Sequence, residues 1–234
     1  MCKFEIKHFM KFTYYGQSCF SLVINSKTFL FDPFITGNEH AKDVNIDGIT
    51  ADYILVSHGH SDHSDDLVAI AKRTGALVIS NFEIITWLQQ QGIKNVHPMN
   101  FGSYDFEFGT LTYMQAQHSS SMGDGTYGGN PGGFILKSDH GNFYYSGDTS
   151  LMLDMQLVPH YAKVDVAILP VGGNFTMNVR DALKATEFIQ CDNVVGVHFD
   201  TFGYIRIDHE VSVKMFEDAG KKLLLPEIGQ TYEV

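Results

Sequence analysis

Basic residues are scarce in this sequence. Its 234 residues include 16 Lys and Arg against 27 Asp and Glu, which gives a formal net charge of −11. A chain with this charge has no long-range attraction to nucleic acid or to an anionic membrane surface. Both classes of partner are therefore disfavoured, and a small-molecule substrate is the expected partner.

Long apolar runs and sorting signals are also absent. No stretch approaches the ~20 apolar residues that are needed to cross a bilayer, and the first residues show no signal-peptide pattern. We therefore expect a cytoplasmic protein without membrane association. No Pro/Ser-rich stretch or block of like charge divides the chain, so we predict one domain over residues 1–234.

Cysteine is rare as well. The three cysteines, Cys2, Cys19 and Cys191, are odd in number and widely separated. This distribution fits reduced thiols in an intracellular protein better than a disulfide framework. None of the three has the spacing of a metal ligand, so a structural zinc site built on thiolates is excluded.

Histidine, in contrast, is concentrated in one short run. His58, His60 and His63 share six residues with Asp62, directly after the apolar stretch 52–56. In an extended backbone, His58 and His60 project to the same side, while Asp62 and His63 follow where the chain turns toward a helix. The run can therefore serve two neighbouring metal ions. The alternative, a solvated polar loop, is disfavoured by the spacing and by the flanking strand and helix patterns.

The rest of the chain alternates strand and helix patterns. Apolar and β-branched segments predict strands, and capping residues before periodic apolar positions predict helices. The predicted strands are 12–15, 19–24, 28–31, 53–57, 76–80, a pair within 104–117 that turns near Gly109, 134–137, 142–146, 165–171, 193–199 and 221–225. The predicted helices start at Ser64-Asp65-Asp66 and end before Gly75, run from Asn81 through Gln91 and from Asn178 through Gln190, and cover 208–219. Two packed sheets with helices outside are the simplest architecture.

Three further candidate ligands each follow a predicted strand and precede a polar or glycine-containing loop. They are His118, Asp148 and His198. Strand ends are where functional sites are assembled, but each residue alone could also cap a turn or satisfy a buried hydrogen bond. The histidine run strengthens the metal interpretation of all three.

The order of these motifs resembles the metallo-β-lactamase superfamily, whose dinuclear members have a His-x-His-x-Asp-His run, a lone His, a lone Asp and a final His. The segments Gly-Gly-Asn-Pro-Gly-Gly-Phe at 128–134, Ser-Gly-Asp-Thr at 146–149 and Pro-Val-Gly-Gly-Asn-Phe-Thr-Met at 170–177 are similar to uncharacterised bacterial metal-dependent hydrolases related to L-ascorbate-6-phosphate lactonase. The resemblance implies an α/β fold with four layers, an αββα sandwich.

The resemblance also implies a ligand set for two divalent ions. One ion would be held by His58, His60 and His118, the other by Asp62, His63 and His198, with Asp148 bridging them. Zn²⁺ is the first expectation and Mn²⁺ the second, because nitrogen and oxygen ligands accept both. Asp148 is the first candidate for holding a hydroxide and accepting its proton, and Asp62 is the second.

Such a centre predicts a hydrolase. Two ions, two carboxylates and a bridging hydroxide leave about one net positive charge, which favours an anionic ester, lactone or phosphate-bearing metabolite. The alternatives are a phosphodiesterase or nuclease, and a non-catalytic metal-binding protein. β-Lactamases of the common dinuclear type use a cysteine ligand, and no cysteine lies near these motifs. A homo-oligomer is left open.

Four residues are candidates for substrate binding. Tyr127 and Asn130 lie in the glycine-rich loop 122–133, which follows His118 and either closes over substrate or is a flexible surface connection. Asn174 and Thr176 follow the predicted strand 165–171 and either reach substrate or lead into the next helix. The nearby aromatic residues Phe175, Phe199, Phe202 and Tyr204 are expected in the core and receive no catalytic role.

Overall fold

The structure, a computed structural model, describes residues 10–234, and within them fourteen strands form two sheets of seven. The first sheet contains β1 (Lys11–Gly16), β2 (Cys19–Ile24), β3 (Lys27–Phe31), β4 (Tyr53–Leu55), β5 (Leu77–Asn81), β6 (Val96–Met99) and β14 (Thr231–Glu233). The second contains β7 (Gly102–Phe106), β8 (Gly109–Gln115), β9 (Gly132–Lys137), β10 (Phe143–Tyr145), β11 (Val166–Pro170), β12 (Asn193–Val197) and β13 (Lys222–Leu224). The helices are α1 (Ser61–Ser64), α2 (Leu67–Thr74), α3 (Phe82–Gln90), α4 (Val158–Tyr161), α5 (Val179–Ile189) and α6 (His209–Asp218).

The two sheets have the same internal plan. The first has the order β14-β1-β2-β3-β4-β5-β6 and the second the order β13-β12-β11-β10-β9-β8-β7. In each sheet, four strands pair antiparallel and the parallel strands follow, starting from β3 in the first sheet and from β10 in the second. The carboxyl ends of parallel strands, where α/β proteins place their ligands, lead into the histidine run and into Asp148 and His198.

Aromatic side chains fill the space between the sheets. Phe20 and Phe31 of the first sheet stack with ring centroids 4.4 Å apart, and both meet the ring of Tyr145 from the second sheet. Each sheet also packs its outer face against helices through a separate apolar cluster. Helix, sheet, sheet and helix therefore form four layers, and the predicted αββα sandwich is confirmed.

Most predicted elements are present, and the differences have local causes. Asn81 and Asn178 cap α3 and α5 as expected, the latter in a capping box with Asp181. The sequence pattern does not predict the strands β6 and β14, which are short and lie at sheet edges, where most of their side chains are half-buried or exposed. Alternating hydrophobicity, the signal for a strand, is weak in such positions.

The described residues include no helix that is both long and apolar enough to span a bilayer. The cytoplasmic location remains a prediction. Cys19 and Cys191 are buried free thiols, and Cys2 lies outside the described residues.

The carboxylate of Asp66 anchors the loop that follows β3. It accepts hydrogen bonds from the backbone N–H of Ile35 (2.6 Å) and of Thr36 (2.8 Å), and from the Thr36 hydroxyl (2.5 Å). The predicted capping of α2 by the Ser64-Asp65-Asp66 segment is therefore wrong for Asp66, whose side chain makes no cap hydrogen bond. It instead fixes the loop that leads to Phe34 and Glu39, which border the site described below.

We predict that Asp66→Ala lowers the free energy of unfolding by about 1–3 kcal/mol, because it leaves the buried N–H of Ile35 without an acceptor. Asp66→Asn is the matched control. Its amide oxygen keeps an acceptor for the two N–H groups, so its loss should be clearly smaller. Urea unfolding of the metal-free protein, followed by circular dichroism, measures both. Equal losses for the two variants would contradict the anchoring role.

Candidate metal centre

The histidine run leaves the first sheet in extended conformation and then enters α1. The backbone of His60 is extended, with φ of −58° and ψ of 148°, and His58 Nε2 lies only 2.9 Å from His60 Nδ1, so the two rings meet on one side of the run. The first turn of α1 carries Asp62 and His63. The hydroxyl of Ser64 donates to the carbonyl groups of Gly59 (3.1 Å) and His60 (3.0 Å), which holds the strand-to-helix junction together. The predicted geometry of the run is present.

The other three predicted ligands come from the second sheet. His118 follows β8, Asp148 follows β10 and His198 follows β12. The seven side chains fall into two groups, and within each group the potential ligand atoms lie within 4.8 Å of one another. The groups are His58, His60 and His118, and Asp62, His63, Asp148 and His198.

Asp148 stands between the two groups. Its Oδ2 lies 3.2 Å from His63 Nε2 and 3.0 Å from His198 Nε2 in one group, and 3.7 Å from His118 Nε2 in the other. Asp62 Oδ2 lies 3.7 Å from both His63 Nε2 and His198 Nε2. One carboxylate oxygen is thus within reach of nitrogen atoms from both predicted ion sites.

Buried polar atoms without partners support a metal at this place. Asp148 Oδ1 has no hydrogen-bond partner among residues 10–234, and His63 Nε2, although 3.2 Å from Asp148 Oδ2, makes no well-aligned hydrogen bond there. Leaving such groups unsatisfied costs about 1–3 kcal/mol each. Imidazole nitrogen and carboxylate oxygen are ligands of divalent transition metals, so an ion would satisfy both atoms. The residues therefore fit the predicted cofactor.

The protonation of the two groups differs. Burial lowers the pKa of His58, His60 and His118, so these rings favour the neutral form that binds metal. Burial also lowers the pKa of His63 and His198, but the Asp148 carboxylate outweighs it, raising the pKa of His63 well above its usual value and that of His198 to about 9. In the absence of metal, protons on these two rings neutralise the carboxylate.

The pKa of Asp148 shows the same coupling from the other side. Burial alone would raise it, but His198 and His63 hold it well below its usual value. Asp148 is therefore ionised at neutral pH despite being almost fully buried. A fixed negative charge in this position favours a cation between the histidines.

Asp32 is a site residue that the sequence analysis missed. Its carboxylate accepts from the backbone N–H (2.7 Å) and hydroxyl (2.5 Å) of Ser57 and from the Tyr145 hydroxyl (2.5 Å), and it lies 2.8 Å from His63 Nδ1. Asp32 is close enough to His58 and His63 to form a third potential ligand group. Because its oxygens already accept these bonds, we assign it to orienting His63, whose Nε2 then faces the metal site.

Gln17 is a second missed residue. It is fully buried in the tight turn between β1 and β2, with φ of +53°. Its Nε2 donates to Asp62 Oδ2 at 2.9 Å, and its carbonyl accepts from the backbone N–H of His198 at 2.7 Å. It thus ties together one ligand from each half of the chain. The sequence offered one signal for each of these residues. Asp32 is an acid directly after the apolar strand β3, and Gln17 is a glutamine in a predicted turn.

A cavity of about 960 Å³ opens above the ligands. Its floor contains His60, Asp62, His118, Asp148 and His198, and it has an aromatic wall. The residues of that wall are Phe34, Phe175, Phe202 and Tyr204. The expected core position is therefore wrong for the exposed Phe175, Phe202 and Tyr204, and right for the buried Phe199.

The four predicted substrate-binding residues lie outside the lining of this cavity. Tyr127 donates its hydroxyl to Asn130 Oδ1 at 3.1 Å, and Asn81 Nδ2 donates to the carbonyl of Asn130 at 3.2 Å, so the loop 122–133 is fastened to the start of α3. Asn174 and Thr176 flank Phe175, which does line the cavity. A role in substrate binding for these four residues stays a prediction.

Comparison with known proteins identifies the superfamily of this chain. Residues 11–198 match the Beta-lactamase superfamily domain. The chain belongs to this superfamily. A superfamily relative from Christiangramia forsetii, named UPF0173 metal-dependent hydrolase, is 52% identical over 227 residues, covering 96% of this chain and 100% of the relative. A relative with the same name from Flavobacterium johnsoniae is 51% identical over 226 residues, with the same coverage of 96% and 100%.

Solved structures agree with this superfamily assignment. Igni18, described as a novel metallo hydrolase from the archaeon Ignicoccus hospitalis, has a TM-score of 0.87 at 32% identity, covering 97% of this chain and 98% of that chain. An isothiocyanate hydrolase from Delia radicum gut bacteria has a TM-score of 0.74 at 19% identity, covering 95% and 98%, and shows the common fold alone. The predicted class, a metal-dependent hydrolase, is confirmed. The relation to the lactonase stays a prediction.

We predict that Asp32→Asn in this superfamily member weakens metal binding at the His63 group by about 10–100-fold, as loss of an outer carboxylate typically does. The amide lacks the negative charge and has one acceptor oxygen in place of two, so it orients His63 and raises the basicity of its ring less than the carboxylate does. Tyr145→Phe is the control, since it removes one donor to Asp32 and keeps the carboxylate. Zinc competition with a chromophoric chelator gives both affinities. An unchanged affinity in Asp32→Asn would remove Asp32 from the site.

We also predict that the two ligand groups release different numbers of protons when they bind zinc. His198, with its pKa raised to about 9, is protonated at pH 7.5, whereas the lowered pKa of His58, His60 and His118 leaves them neutral. Zinc at the His198 group should therefore release about one proton or more, and its apparent affinity should rise as the pH increases toward 9.

Calorimetry in buffers of different ionisation enthalpy counts these protons. His118→Ala, which disables the first group, should keep the release, and His198→Ala should release about one proton fewer, because the raised pKa of His63 leaves that ring protonated. Equal release in the two variants would contradict the assigned protonation states.

Proposed function

We propose that this chain hydrolyses a small ester, lactone or phosphate-bearing metabolite at a centre of two divalent ions. The observation that carries the proposal is the position of Asp148 Oδ2, within 3.7 Å of nitrogen atoms from both ligand groups. A shared carboxylate between two histidine groups is the arrangement that two-ion hydrolysis needs. Zinc is the first choice of metal and manganese the second, because the donors are all nitrogen and oxygen.

When bound, the ions supply Lewis-acid activation of water and of the substrate's carbonyl or phosphoryl oxygen. The side chains of the protein handle the proton. Asp148 is ionised, almost fully buried and at the floor of the cavity, so it can accept the proton that the attacking water loses. In an ester, the water oxygen joins the acyl carbon, the acyl C–O bond breaks, and the proton passes to the leaving alcohol.

Asp62 is the second candidate for proton transfer. It lines the cavity and is less buried than Asp148, but it is also held by Gln17 and faces His63 and His198. These contacts fix its carboxylate in place. We therefore assign Asp62 mainly to binding an ion and Asp148 to handling the proton.

The cavity favours a carbonyl substrate over a phosphodiester. Among the described residues, its lining contains no Lys or Arg, the side chains that typically hold phosphate groups. A loaded centre retains net positive charge, so an anionic reacting group remains compatible with it. The net charge of −11 argues against polymeric nucleic acid. These two observations make a phosphodiesterase the second choice of enzyme.

A substrate panel tests this proposal. Metal content is measured first, and turnover of lactones, methyl esters and bis-p-nitrophenyl phosphate is then compared in the metal-loaded protein, with His60→Ala as the inactive control. Faster turnover of lactones or esters supports the proposal. Preferred turnover of the phosphodiester would favour the phosphodiesterase. Two bound ions without metal-dependent turnover of any compound would favour a binding protein.

We predict that Asp148→Asn lowers kcat by about 100-fold or more, the range found when a general base is removed. An amide cannot accept the proton, although it keeps an oxygen toward the ions. The exposed Asp65 provides a control, since Asp65→Asn removes a carboxylate nearby without altering the cavity. Steady-state kinetics and metal analysis are measured together. Two retained ions with near-normal turnover in Asp148→Asn would show that another group takes the proton.

A further inference from the structure

Three large aromatic side chains stand exposed at the mouth of the cavity. The exposed fractions are 52% for Phe175, 40% for Phe202 and 79% for Tyr204. The rings of Phe175 and Tyr204 meet edge to face, with centroids 6.2 Å apart. Below them, the buried Phe34 continues the apolar surface toward the ligands. Exposed aromatic residues grouped around a functional cavity indicate a surface that binds something.

The segment that carries Phe175 is held beside a metal ligand. The backbone N–H of Gly173 donates to the carbonyl of Met177 at 3.0 Å, which closes the turn. The N–H of Met177 donates to the carbonyl of Thr149 at 2.8 Å, directly after Asp148. Phe175 is therefore positioned relative to Asp148 by backbone hydrogen bonds.

The segment that carries Phe202 and Tyr204 directly follows His198 and is also held by hydrogen bonds. Asp200 donates its N–H to the carbonyl of Ile205 at 2.9 Å, and its carboxylate accepts from the N–H of Ile207 at 3.0 Å. The side chain of Ile205 is fully buried. These contacts brace the loop after His198, and its Phe202 and Tyr204 rings line the cavity.

The outer part of the cavity has few charged side chains, whereas its floor has several. Apart from the predicted metal ligands, Glu39 is the only charged side chain among the described residues of the lining. A carboxylate or phosphate far from the metal ions would therefore meet an acid and aromatic rings, with no cation to balance it. A neutral apolar group would lose water-exposed surface there and gain aromatic contacts.

We propose that the substrate carries a neutral aromatic or bulky apolar group next to the bond that is hydrolysed, and that Phe175, Phe202 and Tyr204 bind this group. The inference rests on the proposed hydrolysis and specifies its substrate class. The volume of about 960 Å³ lies within the range of small-molecule pockets, about 300–1,000 Å³, and the cavity is continuous with the ligands. These two facts favour a small substrate over a second copy of the chain.

Three methyl esters test the preference: methyl 3-phenylpropanoate, methyl butanoate and monomethyl succinate. With the metal-loaded protein, kcat/KM should be highest for the phenyl ester and at least about 10-fold lower for the anionic succinate, as burial of a phenyl ring predicts. Phe175→Ala should lower kcat/KM for the phenyl ester by about 10-fold, mainly through KM, and change methyl butanoate little. Phe175→Leu should restore part of the loss.

Phe82→Ala is the matched control. Phe82 is also an exposed phenylalanine, at 59%, but it lies at the start of α3 and outside the cavity lining. Its removal should leave the preference among the three esters unchanged. An equal effect of Phe82→Ala and Phe175→Ala would overturn the proposal, as would a preference for monomethyl succinate in the unaltered protein.

A binding measurement separates this inference from the hydrolytic function. Saturation-transfer NMR with 3-phenylpropan-1-ol, which has no bond to hydrolyse, is performed on metal-free protein. Binding that weakens in Phe175→Ala and Tyr204→Ala, but not in Phe82→Ala, supports the aromatic site even if no ester is turned over. Turnover of esters together with alcohol binding that is indifferent to these substitutions would overturn it.

Measuring the oligomeric state distinguishes a substrate-binding surface from an interface between copies of the chain. If the aromatic wall were an interface between copies, Phe175→Ala and Tyr204→Ala would shift the mass measured by light scattering and leave binding of 3-phenylpropan-1-ol intact. That result would overturn the proposal. An unchanged mass with weakened alcohol binding supports it.

Discussion

The carboxylate of Asp32 connects the core of this protein to its metal centre. It follows β3 of the first sheet, yet it accepts a hydrogen bond from Tyr145 of the second sheet, whose ring packs in the aromatic core. The same carboxylate holds Ser57 at the start of the histidine run and orients His63. A change in the packing of the sheets would therefore be transmitted to His63, a candidate metal ligand, through one buried acid.

A second constraint is electrostatic. Asp148 Oδ2 lies 3.2 Å from His63 Nε2 and 3.0 Å from His198 Nε2, and all three side chains are almost fully buried. A buried carboxylate of this kind needs a positive partner, either protons on the two rings or a metal ion. A metal ion bound by these two rings would therefore have to replace their protons. This requirement explains why these polar side chains are buried together.

The sequence was sufficient to predict most of the fold and a set of candidate ligands that the structure brings together, and particular residues show why it was insufficient for the rest. His58, His60, Asp62 and His63 could be predicted because their relation is local and depends only on backbone periodicity. Asp32 and Gln17 act through partners far along the chain, which spacing does not reveal. Phe175 and Tyr204 look like core residues by composition, and only the three-dimensional course of their loops shows that they face the cavity.

Each of the two predicted ion sites combines residues from both sheets, since His118 joins the run of the first sheet in one, and Asp148 and His198 join it in the other. An ion in either group would therefore cross-link the two halves of the sandwich. Because the unfolded chain lacks this arrangement, metal would add stability by mass action, about 4 kcal/mol at a thousand times its dissociation constant. The melting temperature of this protein would then report the supply of metal around it.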